Sequence, residues 1–222
     1  MHLAWLGICI GLIGLLCLAY GRCGVRGRKR LRRGVGLAVL ACELAKDLCL
    51  LVQGAFGVGY LPLHLCGLAV FFTLAHAIRP GQTLGDFLYS TCMPGAAFAL
   101  AFPDWTDYPP FAYHSVVAFT VHALLVAYPL MQLCGGDLRP DAARLKRCLA
   151  ILLVLALPIY GFNRAFGTNY MFLCRPAPGS PLEWFASFLG NPGYLLGYIP
   201  MLALVWGVLY FPVIRNKRKK RS

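Results

Sequence analysis

The sequence predicts an all-α, polytopic integral membrane protein with seven transmembrane helices, its N-terminus outside and its C-terminus cytoplasmic. Three observations carry this expectation. Of the 222 residues, 59% are hydrophobic and 13% charged, and mean hydropathy is +0.66, so there is too little polar surface to coat a water-soluble globule. Seven apolar windows of about 20 residues, the length that crosses a hydrocarbon core, fall at roughly 2–20, 34–54, 59–78, 84–102, 110–134, 147–166 and 193–213. The third observation is where the positive charge sits.

Basic residues cluster between the first and second windows (Arg22, Arg26, Arg28, Lys29, Arg30, Arg32, Arg33), between the fifth and sixth (Arg139, Arg144, Lys146, Arg147) and in the tail (Arg215, Lys217, Arg218, Lys219, Lys220, Arg221). With Arg79 these make eighteen of the 21 lysines and arginines. Seven crossings put all of them on one side, which the positive-inside rule makes cytoplasmic; six or eight would scatter them. The formal charge of +13 then reflects topology and attraction to anionic headgroups. Nucleic-acid binding is not expected, because no aromatic-interleaved basic groove accompanies these runs. On this reading residues 1–222 form a single seven-helix domain with a short basic tail, 214–222.

The first window, Met1 to Tyr20, has no basic segment ahead of it, and its positive charges follow the apolar run. That is the arrangement of an N-out anchor rather than a signal peptide. In the second window Glu43, Lys46 and Asp47 are spaced i, i+3 and i+4, with Gln53 on much the same side, so one helical face is polar at bilayer depth. Against lipid each charge would cost roughly 2.5–3.5 kcal/mol near the centre, so this face must look into the bundle. Either Glu43 and Lys46 neutralise each other and pack, or the three residues wall a buried pocket.

The third window opens with Leu61-Pro62-Leu63-His64-Leu65-Cys66, where Pro62 suits a helix's first turn. Cys66 is six residues past Tyr60, about 9 Å down a helix. His64 and Cys66 are about 200° apart around that helix, so His64 is not the base for Cys66. The fourth window is the most interrupted, containing Asp86 and Pro94. The fifth holds His122, about 15 Å from its outer end and somewhat deeper than Cys66. A lone histidine at that depth either satisfies an interhelical hydrogen bond or does chemistry.

Other unusual residues gather at the outer ends of the windows. They are Asp104-Trp105-Thr106-Asp107-Tyr108-Pro109-Pro110, Asn163-Arg164, and Thr168-Asn169-Tyr170-Met171-Phe172-Leu173-Cys174-Arg175-Pro176. Long loops poor in solubilising charge are often functional, whereas Trp184, Tyr194 and Tyr198 read as an aromatic interfacial belt. Of the ten cysteines, Cys9, Cys17, Cys42, Cys49, Cys66, Cys92 and Cys134 lie in apolar windows, where a thiol behaves as a small hydrophobe. There is no CxxC pair and no Cys/His ligand spacing, so neither a metal nor a cofactor is expected. Cys23 and Cys148, near basic loops, read as packing residues, with acylation the alternative.

Taken in order, LPLHLC at 61–66, GDFLY at 85–89, Pro103-Asp104 with Tyr108-Pro109, His122, and NYMFLC at 169–174 resemble the YwaF-like integral membrane proteins. That family includes bacterial members and the transmembrane protein 164 acyltransferases. The resemblance runs from about Glu43 to Pro212, and LPLHLC followed by NYMFLC is specific; the basic first loop and the tail lie outside it. More distantly, the chain is similar to the androgen-induced-1 type lipid hydrolases, with cysteine where those use threonine. The resemblance implies acyl transfer on phospholipids, ether lipids included, by a cysteine and a histidine within the membrane. The matching residues are Cys66 and His122.

The residue chemistry is compatible with that implication. A thiol is a weak nucleophile until its proton is removed, and a neutral His122 within reach could remove it. The thiolate would attack an ester carbonyl and hold the acyl chain as a thioester, released by a lysolipid hydroxyl or water. Candidate oxyanion donors are His64, Asn169, Tyr170 and backbone amides at the start of the third window; Asn169 ranks first because an amide donates without titrating. Arg164 or Arg175 could hold a phosphate headgroup or anchor at the interface. Expected partners are membrane phospholipids or lysophospholipids, in a cell membrane, the plasma membrane for a bacterial protein. Two other classes stay open: a transporter or receptor using Glu43, Lys46 and Asp47, and a membrane scaffold. No inverted repeat is visible, which weighs against a secondary transporter.

Overall fold

A computed structural model describes residues 2–103, 109 and 111–219. Most of the Asp104–Pro110 turn singled out above, and Lys220 and Arg221 of the tail, lie outside the described residues. Those described are helical, with no strand, and divide into two compact units, Met1–Arg139 and Pro140–Ser222.

The first unit contains α1 (His2–Arg22), α2 (Val25–Val52), α3 (Leu65–Ile78), α4 (Gln82–Phe87), α5 (Met93–Ala101) and α6 (Tyr113–Cys134). A π turn, Leu88–Cys92, joins α4 to α5. Helix α6 is apolar on nearly every side, so it can be surrounded at no cost in buried charge. It packs against α1, α2, α3 and α5, and from Ala123 to Pro129 it is buried without interruption.

Side-chain contacts fix the directions. Trp5 stacks on Phe119 with ring centroids 5.0 Å apart, while at the other end Tyr20 donates its hydroxyl to Asp137 Oδ2 at 2.6 Å; α1 and α6 are therefore parallel. Helix α3 runs the same way, since its C-terminal His76 meets Tyr128 of α6. Helix α2 is antiparallel to α3. At their crossing a Cβ on Gly36 would stand 2.9 Å from the Ala77 Cβ, so only glycine allows this approach. Arg22 to Arg33, Arg79 and Arg139 thereby share one end of the unit, called here the basic end.

The second unit holds α7 (Leu145–Phe166), α8 (Pro181–Gly193) and α9 (Tyr198–Lys219). Helix α7 closes on Gly167, whose φ of 69° lies in the left-handed region that glycine occupies without penalty. Helix α8 breaks at Gly190 (φ 68°) and Asn191 (φ −108°, ψ 125°). Both α8 and α9 pack on the short 3-10 turn Tyr194–Gly197.

Among the described residues four helical stretches are long and apolar enough to cross a bilayer: His2–Arg22, Tyr113–Cys134, Ala142–Phe166 and Pro181–Arg215. The other three of the seven windows differ for separable reasons. Helix α2 is long but carries Glu43, Lys46 and Asp47. Helix α3 has 14 residues, which at 1.5 Å each reach about 21 Å, short of the roughly 30 Å hydrocarbon core. The fourth window is divided among α4, the π turn and α5.

Candidate functional site

The LPLHLC stretch forms a helix start, but later than Pro62. Helix α3 begins at Leu65, with His64 in the N-cap position at φ −66° and ψ 152°, and the first helical bond runs from Leu68 N to His64 O at 3.0 Å. Pro62 belongs instead to a tight turn in which Leu63 N donates to Leu61 O. That turn is folded over the helix: a Cβ on Gly67 would stand 2.9 Å from Pro62 Cα. Cys66 is therefore the second residue of α3 and not about 9 Å down it. In that position its backbone amide is one of the first-turn donors that no carbonyl within the helix can reach, at the positive end of the helix dipole.

His122 sits on α6 with its ring orientation fixed. Nδ1 donates to the Ala118 carbonyl at 2.7 Å. A carbonyl only accepts, so Nδ1 carries the hydrogen and, in the neutral ring, Nε2 carries a lone pair.

The levels of the two residues follow from a third pair. His76 Nδ1 and the Tyr128 hydroxyl lie 2.9 Å apart, which puts parallel α3 and α6 in register there. Cys66 precedes His76 by ten residues and His122 precedes Tyr128 by six, or about 15 Å and about 9 Å of helix rise. By this count His122 stands about 6 Å from Cys66 along the helix axes, and its bond to the Ala118 carbonyl draws the imidazole part of the way back. Both Cys66 and His122 are half-buried.

The charged face of α2 reaches a similar level. Counted by equal rises from the Gly36–Ala77 approach, Lys46 and Asp47 stand roughly opposite Gly67 and Cys66 along the antiparallel pair. Lys46 Nζ donates to Glu43 Oε1 and lies 3.6 Å from Asp47 Oδ1, with Glu43 only 6% exposed. The ammonium is thus held between two carboxylates of its own helix.

In the second unit the NYMFLC stretch is a pinned, strained loop. Asn163, 1% exposed, donates Nδ2 to Tyr170 O at 2.9 Å and accepts on Oδ1 from Tyr170 N at 2.8 Å and from the Thr168 hydroxyl. Asn169 Oδ1 accepts from Cys174 N at 3.1 Å and Arg175 N at 2.9 Å, and its Nδ2 donates to Arg175 O. The Asn169 amide is therefore committed to shaping its own loop. Met171 and Phe172 have φ of 55° and 51°, a left-handed conformation that costs of order 1–3 kcal/mol per residue and persists only when over-determined by its surroundings. Tyr198 and Tyr194 provide that constraint, donating their hydroxyls to Met171 O at 2.9 Å and Phe172 O at 2.8 Å. These tyrosines are loop clamps, and Tyr194 is fully buried; of the three aromatic residues read as an interfacial belt, Trp184 stays exposed. Arg164 and Arg175 are both exposed.

A protein-family model, the TMEM164 family, matches residues 1–210. The chain belongs to the TMEM164 family. With the apolar helices, that membership makes it a multi-pass membrane protein. No curated protein and no solved structure matches it.

Several residues that organise this TMEM164-family chain carry little signal in sequence. His76 and Tyr128 are separated by 52 positions, and only the rarity of a second histidine within apolar sequence points to the first of them. Asn163 is visible as a polar residue closing an apolar run, but its pairing with Tyr170 is not. Among the described residues no three His, Cys, Asp or Glu side chains gather as a metal site. What the first unit presents at the end away from the basic residues is a thiol at a helix start, an imidazole with an accepting nitrogen, and a cluster of two carboxylates about one ammonium.

Proposed function

We propose that this protein is a membrane-embedded acyltransferase that moves a fatty acyl chain from a phospholipid, through a thioester on Cys66, to a lysolipid or to water. The observation that carries the reading is the bond from His122 to Ala118. It leaves Nε2 as a proton acceptor and draws the ring toward the level of Cys66 on the neighbouring helix. The position of Cys66 at the start of α3 supports it further, because a helix N-terminus favours a thiolate and first-turn amides are suited to receive an oxyanion.

In this mechanism His122 Nε2 takes the Cys66 proton and the thiolate adds to the ester carbonyl. The tetrahedral oxyanion collapses, expelling the lysolipid alkoxide, which takes the proton back from His122. A second hydroxyl, or water, then gives its proton to Nε2 and attacks the thioester; the Cys66 sulfur leaves and is reprotonated. His64 positions the turn over α3. Asn169 and Tyr170 hold the 169–175 loop of the second unit in shape. The protein crosses a cell membrane seven times with its N-terminus outside, a topology supported by the gathering of positive charge at the basic end.

The test is turnover of acyl-labelled phospholipid by purified protein, with and without lysolipid. Cys66→Ser and His122→Gln are each expected to lower the rate on the order of 10²–10⁴-fold. Undiminished turnover in a folded Cys66→Ser protein would refute the reading.

A further inference from the structure

The basic end contains a cavity of about 400 Å³ that the acyl-transfer reading does not use, lined by Arg28, Lys29, Arg32, His76, Gln82 and Asp137 among others. It lies at the C-terminal end of α3, whereas Cys66 lies at the N-terminal end, so the two sites are separated by about 15 Å of helix rise.

The charges lining this cavity do not cancel. Arg28 is occupied by the fold: it donates from Nη1 to Gly135 O, just past the end of α6, and pairs with Asp137 at 3.4 Å. Its guanidinium lies 5.7 Å from the centroid of the Tyr20 ring, and Tyr20 itself donates to Asp137. Asp137, the carboxylate of the lining, is therefore already engaged twice. Among the described residues no carboxylate pairs with Lys29 or Arg32. Arg32 also holds a buried Nε–H that reaches no acceptor, and such a buried donor is costly to leave unmade. A cavity with two cations that no carboxylate pairs, Lys29 exposed and Arg32 half-buried, and an unmet guanidinium donor is suited to an anion, and the planar donor fork of arginine matches phosphate oxygens.

We propose that this cavity is a phosphate receptor, taking a phosphomonoester either on a lipid headgroup or as free phosphate, separate from the acyl-transfer centre. Its position at the end where positive charge gathers is where basic pockets between membrane helices meet anionic headgroups.

The full chain, purified in an uncharged detergent, is titrated calorimetrically with dioctanoyl phosphatidic acid, with inorganic phosphate and with uncharged dioctanoylglycerol. Saturable binding of phosphatidic acid, weakened about tenfold or more in Arg32→Gln and Lys29→Gln and unchanged in Arg33→Gln, supports a lipid-borne ligand. Binding of inorganic phosphate with the same Arg32 dependence supports free phosphate. Should Arg32→Gln melt at a lower temperature, Arg32→Lys keeps the charge without the planar fork and is expected to retain weakened binding. No saturable binding of either anion, equal binding of dioctanoylglycerol, or an equal loss in Arg33→Gln would overturn the proposal.

Discussion

His76 on α3 and Tyr128 on α6 share a buried hydrogen bond of 2.9 Å across 52 residues of chain. This contact sets the height of everything else on the two helices, including Cys66 and His122. Tyr128→Phe removes the hydroxyl and leaves a buried ring nitrogen without that partner. The expected cost is about 1–3 kcal/mol, read as a lower unfolding midpoint in detergent, with a parallel fall in acyl transfer as the helices lose register.

Gly67 allows the Pro62 turn to lie on the start of α3. In Gly67→Ala the new methyl would stand 2.9 Å from Pro62 Cα, a backbone contact that cannot swing aside. Overpacking of this kind costs typically about 1–3 kcal/mol. Because the turn precedes Cys66 directly, activity is expected to fall more than the melting temperature suggests. A Gly161→Ala control, where a Cβ meets nothing within 4 Å, is expected to be neutral in both assays.

Lys46 neutralises the buried Glu43. Lys46→Met strands that carboxylate, and breaking a buried pair from one side costs about 3–5 kcal/mol. The double variant Glu43→Gln/Lys46→Met is expected to recover part of the loss in a thermal melt, because Asp47 still lacks its cation. If the single variant melts like the parent, the cluster does not hold the helices.

Asn163 holds both backbone groups of Tyr170. Asn163→Ala is expected to release the strained Met171–Phe172 turn, and Tyr198→Phe to loosen it partly. The observable is limited proteolysis between residues 169 and 175, which should quicken most in Asn163→Ala.

Much of this was legible in the sequence, for reasons that can be named. Composition and window length give a helical membrane protein because they report the solvent directly. LPLHLC marked a helix start, but Pro62 drew the boundary three residues early: its fixed φ suits a tight turn as well as a first helical turn, and only the close packing on Gly67 distinguishes them. The unequal build of the seven windows was not legible, because a hydropathy window measures apolar length and not where the backbone bends. It cannot see that α3 stops at 14 residues or that a π turn interrupts 88–92. Tyr194 and Tyr198 were misread because an interfacial tyrosine and a buried loop clamp have the same sequence signature. The relative heights of Cys66 and His122 are counted from His76 and Tyr128, a pairing that no local pattern encodes.

The most direct measurement is mass spectrometry of the Cys66 peptide after purified protein has been incubated with phospholipid in the absence of a lysolipid acceptor. An acyl mass on Cys66 that hydroxylamine removes, and that is lost or greatly diminished in His122→Gln, is the predicted result. An unmodified Cys66 in protein shown to be folded and turning over substrate would contradict the thioester route.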